Sequence, residues 1–375
     1  MNTSMTKEQE LYRQEIIDFS HNVLNQKGTL ETFIPHIWNQ VSEFGLYGIT
    51  VGEEYGGLGE SYTTAAHVFE ALGYGCMNNG LIFAINNHIW VALNLIYLYG
   101  TQLLKEKYLS SMIKGKKIGA IAITEPEAGT DALNMSTSAV EKPEYYLLNG
   151  CKTFISNAPI ADIFVVFAVN QFEPVKKITA FIVEKSMTGV SIGPEIEKMG
   201  LGGCPTAELI LKDCKVPKEN ILGTRDAGKQ ILLSALEWER CFEFVPNIGT
   251  MQRIMEKCIE HVNTRKQFGK SLGENQSIAH KIAEMKIGIE LSKNMLYKIT
   301  GLMDEGKSAY LDTCIFKYYV SSRYISTCRE AIQIFGGYGY TKEYDYEREL
   351  RDAIASSIYS GTNEMQLNTI YNLIY

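Results

Sequence analysis

The stretch IAITEPEAGTD, residues Ile121–Asp131, is the one around which we interpret this chain. It opens as an apolar, β-prone run and then breaks at Pro126 and Gly129, with the short hydroxyl side chains Thr124 and Thr130 on either side. A loop of this kind can bring backbone N–H groups and small hydroxyls close to a planar ligand with polar edges. The same residues also fit a strand followed by a capped turn, so the stretch alone leaves both interpretations open.

The composition limits the class of protein. The chain has 375 residues, enough for two or three domains with a large core. Hydrophobic residues make up 45% and charged residues 21%, as in ordinary soluble globular proteins. The formal net charge of -7 argues against a nucleic-acid partner. Eight cysteines without a CxxC pair argue against a metal site or a disulfide framework, and they fit a cytoplasmic location.

Two segments bear on membranes and targeting. The N-terminus, MNTSMTKEQELYRQEII, is polar and charged, so we expect no secretory signal. The most membrane-like run is Gly80–Gly100, but it contains Asn86, Asn87, His88 and Asn94. We therefore predict a buried helix there and no membrane span.

Hydrophobic spacing divides the chain into three parts, and we predict domains at residues 1–117, 118–225 and 226–375. The first and last parts have helical spacing, and Pro246 is expected to kink an apolar helical stripe near its start. In the middle part Asn149–Gly150 predicts a hairpin turn. Short β-branched or aromatic runs there predict strands at Ile118–Thr124, Tyr145–Leu148, Ile163–Val169, Ile178–Val183 and Ala207–Leu211.

Seven short segments resemble, in the same order, signatures of the acyl-CoA dehydrogenase family. TEPEAGTD is similar to the family's TEPGAGSD, and LNGCKTFISNA is similar to its NG-K-x-W-I-T-N segment. The other matches are Glu53–Gly59, Met199–Gly200 with Thr206–Gly223, Arg265–Gly269, Gln333–Gly337 and Gly361–Glu364. The resemblance implies an N-terminal helical domain, a middle β-barrel and a C-terminal four-helix bundle. No complete GxGxxG occurs, which counts against a nicotinamide-binding Rossmann domain.

The resemblance implies FAD as cofactor. The Ser156 hydroxyl would replace a threonine that hydrogen-bonds flavin N5, and Phe154 stands where the family usually has tryptophan. In family tetramers the RKQFG and QIFGG segments reach the FAD of a neighbouring subunit, so we expect a homotetramer or homodimer. Arg265 suits the pyrophosphate, because guanidinium groups pair well with phosphate oxygens. The implied flavin contacts are Ile121, Ile123, Thr124, Gly129, Thr130, Phe154, Ile155, Ser156, Arg265, Phe268, Gln276, Gln333, Gly336, Gly337, Thr362 and Glu364.

The catalytic base of many family members is the glutamate of a Y-E-G-T motif. Here that motif reads Tyr359–Ser360–Gly361–Thr362, and serine is a poor base near neutral pH. Isovaleryl-CoA and long-chain dehydrogenases instead carry the base on a kinked helix, just before an arginine, where this chain has Glu239 and Arg240. Glu237 is a competitor, but two residues of helix turn by about 200°, so both carboxylates cannot face one cleft. We expect Thr130, Arg240 and Ser360 to contact substrate.

These residues lead to one main functional hypothesis and two alternatives. The main hypothesis is FAD-dependent α,β-dehydrogenation of an acyl thioester on CoA or a carrier protein, with Glu239 as base and an electron-transferring flavoprotein or another acceptor. The absent loop glutamate motivates an oxygen-using oxidase or monooxygenase on the same scaffold. A subunit that binds a partner without catalysis is disfavoured, because the flavin segments are retained.

Overall fold

The computed structural model describes residues 5–26, 28–171 and 175–375, with helices at both ends of the chain and a sheet in the middle. The helices are α1 Lys7–Phe19, α2 Pro35–Glu43, α3 Tyr62–Gly75, α4 Asn79–Asn86, α5 Asn94–Tyr99, α6 Gln102–Ile113, α7 Gly228–Phe242, α8 Val245–Thr264, α9 Gln276–Asp304, α10 Tyr310–Phe335, α11 Tyr346–Ala355 and α12 Asn363–Ile374. The strands are β1 Gly119–Ala122, β2 Ser138–Glu141, β3 Tyr145–Ser156, β4 Ile163–Asn170, β5 Ile178–Glu184, β6 Val190–Ile192, β7 Thr206–Pro217, β8 Ile221–Leu222, β9 Lys266–Gln267 and β10 Lys270–Ser271.

The apolar segment Asn79–Tyr99 is a continuous helical stretch in which a π-helical turn, Asn87–Leu93, joins α4 to α5. By length and composition it could cross a membrane, but 83% of its most apolar window is buried inside the protein. The prediction of a buried helix is therefore confirmed. A π-helical turn is frequent at functional sites, and the N-terminal side of this one borders the cleft described below.

The central sheet has eight strands in the order β6-β7-β3-β2-β4-β5-β8, with β1 parallel to β4. Since β5 pairs along one edge of β4, β1 and β2 share its other edge. Phe164, Val166 and Ala168 of β4 join an interior cluster with side chains from β1, β2, β3, β5 and β7. The alternate residues of β4 pack against α5, α6 and α7. This alternation gives the sheet a filled interior and a helix-covered outer face, as expected for a barrel domain.

The hairpin predicted at Asn149–Gly150 is wrong. β3 continues through these residues and pairs with β7 along its length, with a β-bulge between Leu148 and Gly150. Gly150 has φ 156° and a Cβ there would lie 2.4 Å from Thr137 Oγ1, so glycine permits the close approach of the neighbouring segment. Asn149 binds Asp213 through both its amide nitrogen and its amide oxygen. An Asn-Gly pair suits a bulge as well as a turn, since glycine relieves crowding in both.

The predicted kink near Pro246 is a full break between two helices. α7 ends at Phe242, and α8 starts at Val245 with Pro246 in its first turn, where a missing N–H costs no helical hydrogen bond. Helices α8, α9 and α10 pack against one another, and α10 also contacts α7, α11 and α12. The domain borders after residues 117 and 225 remain predictions.

Candidate active site

A cleft of about 530 Å³ lies between the sheet, α4, α7 and the loop that follows α11. Its volume is within the range of small-molecule sites, about 300–1,000 Å³. It brings together residues that are far apart in the sequence. Those expected at the site that line it are Ile121, Ile123, Thr124, Gly129, Thr130, Phe154, Ile155, Ser156, Glu239, Ser360 and Thr362.

A buried ion pair holds the loop that starts at Thr124. Lys152 Nζ lies 2.8 Å from Glu125 Oε1 and also donates to the carbonyl of Ile123 at 3.0 Å, and the lysine is fully buried. Glu125 further accepts hydrogen bonds from the backbone N–H groups of Ser136 and Thr137. These contacts tie the loop of residues 124–131, which we call the flavin-signature loop, to β3. They fix the positions of Thr124, Gly129 and Thr130, which line the cleft.

Burial and pairing oppose each other at this ion pair. Burial disfavours the charge of Glu125, but Lys152 and the hydrogen bonds from Thr137 and Ser136 outweigh it and lower the pKa of the carboxyl to about 2. Burial lowers the pKa of Lys152, and Glu125 counteracts it. The carboxylate is therefore charged at neutral pH and keeps its partner.

The end of β3 presents Phe154 to the cleft in an unusual conformation. Its φ is 56°, it lies where the pairing of β3 with β7 is irregular, and 64% of the residue is exposed. Asn157, also at positive φ, is fully buried and donates to the carbonyls of Ala84 and Gly119. These contacts anchor the turn after β3 to α4 and β1. Left-handed backbone at a non-glycine residue is strained and is often found at functional sites.

Glu239 faces the cleft from α7 and contacts the loop that follows α11. Ser360 Oγ donates a hydrogen bond of 2.9 Å to Glu239 Oε1, and Ser360 has φ 58°. Gln366 Nε2 holds this loop by donating to the carbonyls of Ser360 and Gly361. The backbone N–H of Ser360 donates to no acceptor among the residues that the structure describes.

The pKa of Glu239 is raised, because burial disfavours the carboxylate. The hydrogen bond from Ser360 and the charges of Arg240 and Lys317 reduce this effect without cancelling it. A carboxyl group with a raised pKa in a cleft is the property that a general base near neutral pH requires.

Arg240 and Lys317 lie behind the loop and outside the cleft lining. Arg240 Nε donates to the Ser360 carbonyl at 3.4 Å, and its guanidinium stacks on Tyr310. Lys317 is fully buried and donates to Asn363 Oδ1 at 2.8 Å. Burial and the charge of Arg240 lower the pKa of Lys317 to about 7, with Glu239 opposing them. Substrate contact by Arg240 thus remains a prediction, while its contact with the loop is direct.

The competitor Glu237 has a different role. Its Oε1 accepts hydrogen bonds from the Ala309 N–H at 2.5 Å and from Ser308 Oγ at 3.1 Å. It therefore caps the start of α10 and does not line the cleft in the described part of the chain. The geometry agrees with the opposite facing expected from helix rotation.

Several expected flavin contacts lie elsewhere on the surface. Phe268 is 98% exposed at the turn between β9 and β10. Thr362, which lines the cleft, also caps α12 by accepting from the Met365 N–H, and Glu364 follows it on the exposed side. The expected flavin contacts that are exposed and do not line the cleft are Arg265, Phe268, Gln276, Gln333, Gly336, Gly337 and Glu364.

The sequence interpretation missed other lining residues. Tyr359 and Gly361 flank Ser360 within a quoted motif, so their position could have indicated them. Phe83 and Asn87 lie in the apolar run of α4 and its π-helical turn, where the sequence carries no distinguishing signal. The remaining members are Lys198, Leu201, Cys204, Thr206, Ala355 and Ile358.

Family models match nearly the whole chain. Residues 6–116 match the acyl-CoA dehydrogenase N-terminal domain, residues 120–214 the middle domain and residues 226–374 the C-terminal domain. The chain belongs to the acyl-CoA dehydrogenase family. It is accordingly an FAD-dependent oxidoreductase that acts on a CH–CH group, with the three-part fold of that family.

Relatives and solved structures of this family cover almost the full length. An L-prolyl-[peptidyl-carrier protein] dehydrogenase of Pseudomonas fluorescens is 38% identical over 89% of this chain and 88% of its own. A crystal structure described as the prolyl acyl carrier protein oxidase AnaB has TM-score 0.96 and 37% identity, covering 99% of this chain and 100% of that one. An FAD complex of PigA has TM-score 0.96 and 32% identity, covering 100% of this chain and 99% of that one.

The cleft fits the ring end of FAD. Ile121, Ile123 and Phe154 offer apolar surface to a planar ring, and the hydroxyls of Thr124, Thr130 and Ser156 offer hydrogen bonds to its polar edges. A Cβ at Gly129 would meet no atom within 4 Å, so this side of the loop is open to a ligand. The residues present therefore suit the cofactor that the family binds.

Proposed function

We propose that this protein dehydrogenates an acyl thioester between its α and β carbons, and that Glu239 removes the α-proton. The observation that carries the proposal is the position of Glu239 in the cleft opposite the flavin-signature loop, with its carboxylate bonded to Ser360. A group that removes the α-proton of a thioester works best when its pKa is close to the pKa of that carbon acid. The burial that raises the pKa of Glu239 acts in that direction.

The loop residues assist the base by position. Ser360 Oγ holds one carboxylate oxygen, which leaves the other directed to a proton donor in the cleft. Arg240 and Gln366 hold the Ser360 carbonyl and thereby the loop that carries the Ser360 N–H, which would donate to a substrate oxygen. A preorganised donor aimed at a thioester carbonyl stabilises the enolate-like charge that develops when the α-proton leaves.

The cleft residues around Thr124 and Phe154 would hold the flavin ring. When bound, FAD supplies the acceptor for the β-hydrogen and its electron pair. Thr130 and Ser156 line the cleft, where Thr130 would contact both ring and thioester and the Ser156 hydroxyl at the end of β3 would bond the ring. The exposed segment Arg265–Gly269 would meet the pyrophosphate end of a neighbouring subunit's FAD in a homotetramer or homodimer.

The thioester donor is CoA or a carrier protein. The acyl-CoA dehydrogenase family model supports CoA as the donor, and the prolyl-carrier-protein relative supports a carrier protein. An electron-transferring flavoprotein or another acceptor would reoxidise the flavin. We include a cytoplasmic location in the proposal, since the eight cysteines are free, as expected in a reducing compartment.

The oxygen-using alternative is not favoured, because the family models and the curated relative above are dehydrogenases. One structural neighbour is nevertheless described as an oxidase. A dehydrogenase and an oxidase differ in the electron acceptor that reoxidises the flavin, and an experiment can distinguish them. Hydrogen peroxide formed at the turnover rate under air, without any added acceptor, would identify the oxidase.

The test is product analysis with the purified flavoprotein. A panel of acyl groups is presented as CoA, carrier-protein and pantetheine thioesters, and the masses of the products are measured by mass spectrometry. The proposal predicts loss of two hydrogens from at least one acyl group, with bleaching of the flavin under anaerobic conditions. A product that has gained oxygen, or a panel in which no member bleaches the flavin, would contradict it.

A further inference from the structure

A second, smaller cavity lies behind the inner wall of the cleft. Its volume is about 20 Å³, which is room for one water molecule. We call it the inner cavity. Phe83, Leu201 and Tyr359 line both it and the cleft, and the rings of Phe83 and Tyr359 lie 4.7 Å apart. These two rings form part of the wall between the cleft and the inner cavity, so an acyl chain would have to displace them to reach it.

Glu243 is a buried carboxyl group in the inner cavity without a hydrogen-bond partner. It follows Glu239 by four residues on the same helical path, so their Cβ atoms are roughly 5–6 Å apart on one face. It is 2% exposed, and neither of its oxygens has a hydrogen-bond partner in the described part of the chain. The nearby Asn86 donates its amide to the Phe242 carbonyl, and its side chain is also close enough to Glu243 to lower the pKa of the carboxyl. A buried polar group left unsatisfied costs about 1–3 kcal/mol, so a ligand that donates to it is favoured.

The charge of the inner cavity selects the kind of donor. Glu243 and Asp352 line it, and no lysine, arginine or histidine of the described chain does. Asp352 is occupied, since it accepts from the Leu201 N–H and from Asn79. Asn247 Nδ2 and Asn86 Oδ1 lack partners. A site with an unpartnered carboxyl and no cation accepts a basic nitrogen and disfavours an acidic or purely alkyl group.

Burial disfavours the charged form of both carboxyl groups in the inner cavity. Burial, followed by the charge of Glu239, raises the pKa of Glu243 well above its usual range. Burial also raises the pKa of Asp352 to about 6. An entering ammonium group supplies the missing charge and lets Glu243 ionise beside it.

We propose that the inner cavity binds an amine carried by the acyl chain of the substrate, with Glu243 as its hydrogen-bond acceptor. This inference rests on the proposed acyl-thioester function and narrows the substrate to aminoacyl thioesters. If Glu239 removes the α-proton as proposed, Glu243 lies one helical turn beyond it, so the amine would be within about three bonds of the α-carbon. Sites built to hydrogen-bond a substrate N–H reject the analogue that lacks it, because the site is then left unpaired.

The experiment compares two pantetheine thioesters of equal length, 4-aminobutanoyl and pentanoyl, as anaerobic reductants of the bound flavin. The intact protein is expected to favour the amine by about 10²-fold in kcat/KM. In Glu243→Gln the preference should fall to below about tenfold, mainly through a higher KM for the amine. Glu243→Leu should reverse it. The matched control is Glu260→Gln, which changes an exposed glutamate that pairs with Lys257 on α8 and should keep the wild-type preference.

The outcomes distinguish the two proposals. If the unaltered protein reduces its flavin equally well with both thioesters, the inner cavity does not recognise an amine and the proposed function stands. A preference that persists in Glu243→Gln also overturns the inference. If neither thioester, nor any of the wider panel, bleaches the flavin, the proposed function fails and this inference with it. The wild-type comparison needs no variant, so it holds even if the Glu243 variants do not fold.

Discussion

Ser360 Oγ donates a 2.9 Å hydrogen bond to Glu239 Oε1, across 121 residues of sequence. The serine occupies the position at which many family members carry their base, and the carboxylate comes from the broken helix instead. The loop position therefore contacts the proposed base directly, through the Ser360 hydroxyl.

Ser360→Ala should shift the pH profile of flavin reduction. The Ser360 hydrogen bond lowers the raised pKa of Glu239, so its loss raises that pKa further. A hydrogen bond to a charged group is worth about 1.5–3 kcal/mol, or about one pKa unit or more. Because the base acts when deprotonated, the acid limb of the rate should move to higher pH by about that amount. Ser357→Ala is the control, since among the described residues the Ser357 hydroxyl donates to the Ile354 carbonyl and not to Glu239. An unmoved acid limb in Ser360→Ala would show that the bond does not tune the base.

Lys152→Met should destabilise the protein and weaken its hold on the flavin. It leaves Glu125 buried without its counter-ion, and removing one partner of a buried pair costs about 3–5 kcal/mol. The double variant Glu125→Gln with Lys152→Met should recover most of the stability, because no lone charge remains. Denaturant unfolding and the flavin content after gel filtration measure the two effects. If Lys152→Met alone were as stable as the wild type, the ion pair would not hold the loop in place.

Glu237→Ala should lower stability but not chemistry. Its carboxylate caps α10 at Ala309, and loss of a cap costs about 0.5–2 kcal/mol. The melting temperature should fall, while the rate of flavin reduction by substrate stays at the wild-type value. A slowed reduction at full flavin occupancy would mean that Glu237 has a role in the cleft.

Arg265→Leu should weaken FAD binding by about 10–100-fold if the segment meets a neighbouring subunit's pyrophosphate. The estimate follows from the loss of a charge-assisted hydrogen bond of about 1.5–3 kcal/mol. Flavin retention during dialysis and the oligomeric state in solution are measured together. Arg329→Leu, which removes an exposed arginine on α10 next to Glu330, is the control. Equal retention in both variants would exclude the pyrophosphate role.

Short motifs were enough to predict part of the cleft lining. Ile121, Phe154, Glu239 and Ser360 come from four separate segments, and each was identified by its place in a family signature. Helix geometry indicated that Glu239 and Glu237 could not both face the cleft, and the neighbouring Arg240 favoured Glu239. The family order of helical, β and helical segments was likewise readable from the change in hydrophobic period.

Features that depend on contacts between distant segments could not be predicted from the sequence. The pair of Lys152 and Glu125 joins residues 27 positions apart, and neither residue carries a sign of burial in its own neighbourhood. The Asn149–Gly150 bulge is decided by Thr137 on the neighbouring segment, which a local turn signal cannot include. In the sequence Glu243 resembles any helical glutamate, and only the fold shows that it is buried.

The most direct test of the account is anaerobic flavin reduction by Glu239→Gln, in a single turnover with a thioester that the wild type oxidises. Glutamine keeps the size of the side chain but cannot accept the α-proton, so the rate should fall by about 10²–10⁴-fold with the flavin still bound. Glu237→Gln on the same helix should reduce its flavin at the wild-type rate. A Glu239→Gln protein that bleaches as fast as the wild type would show that another group removes the proton.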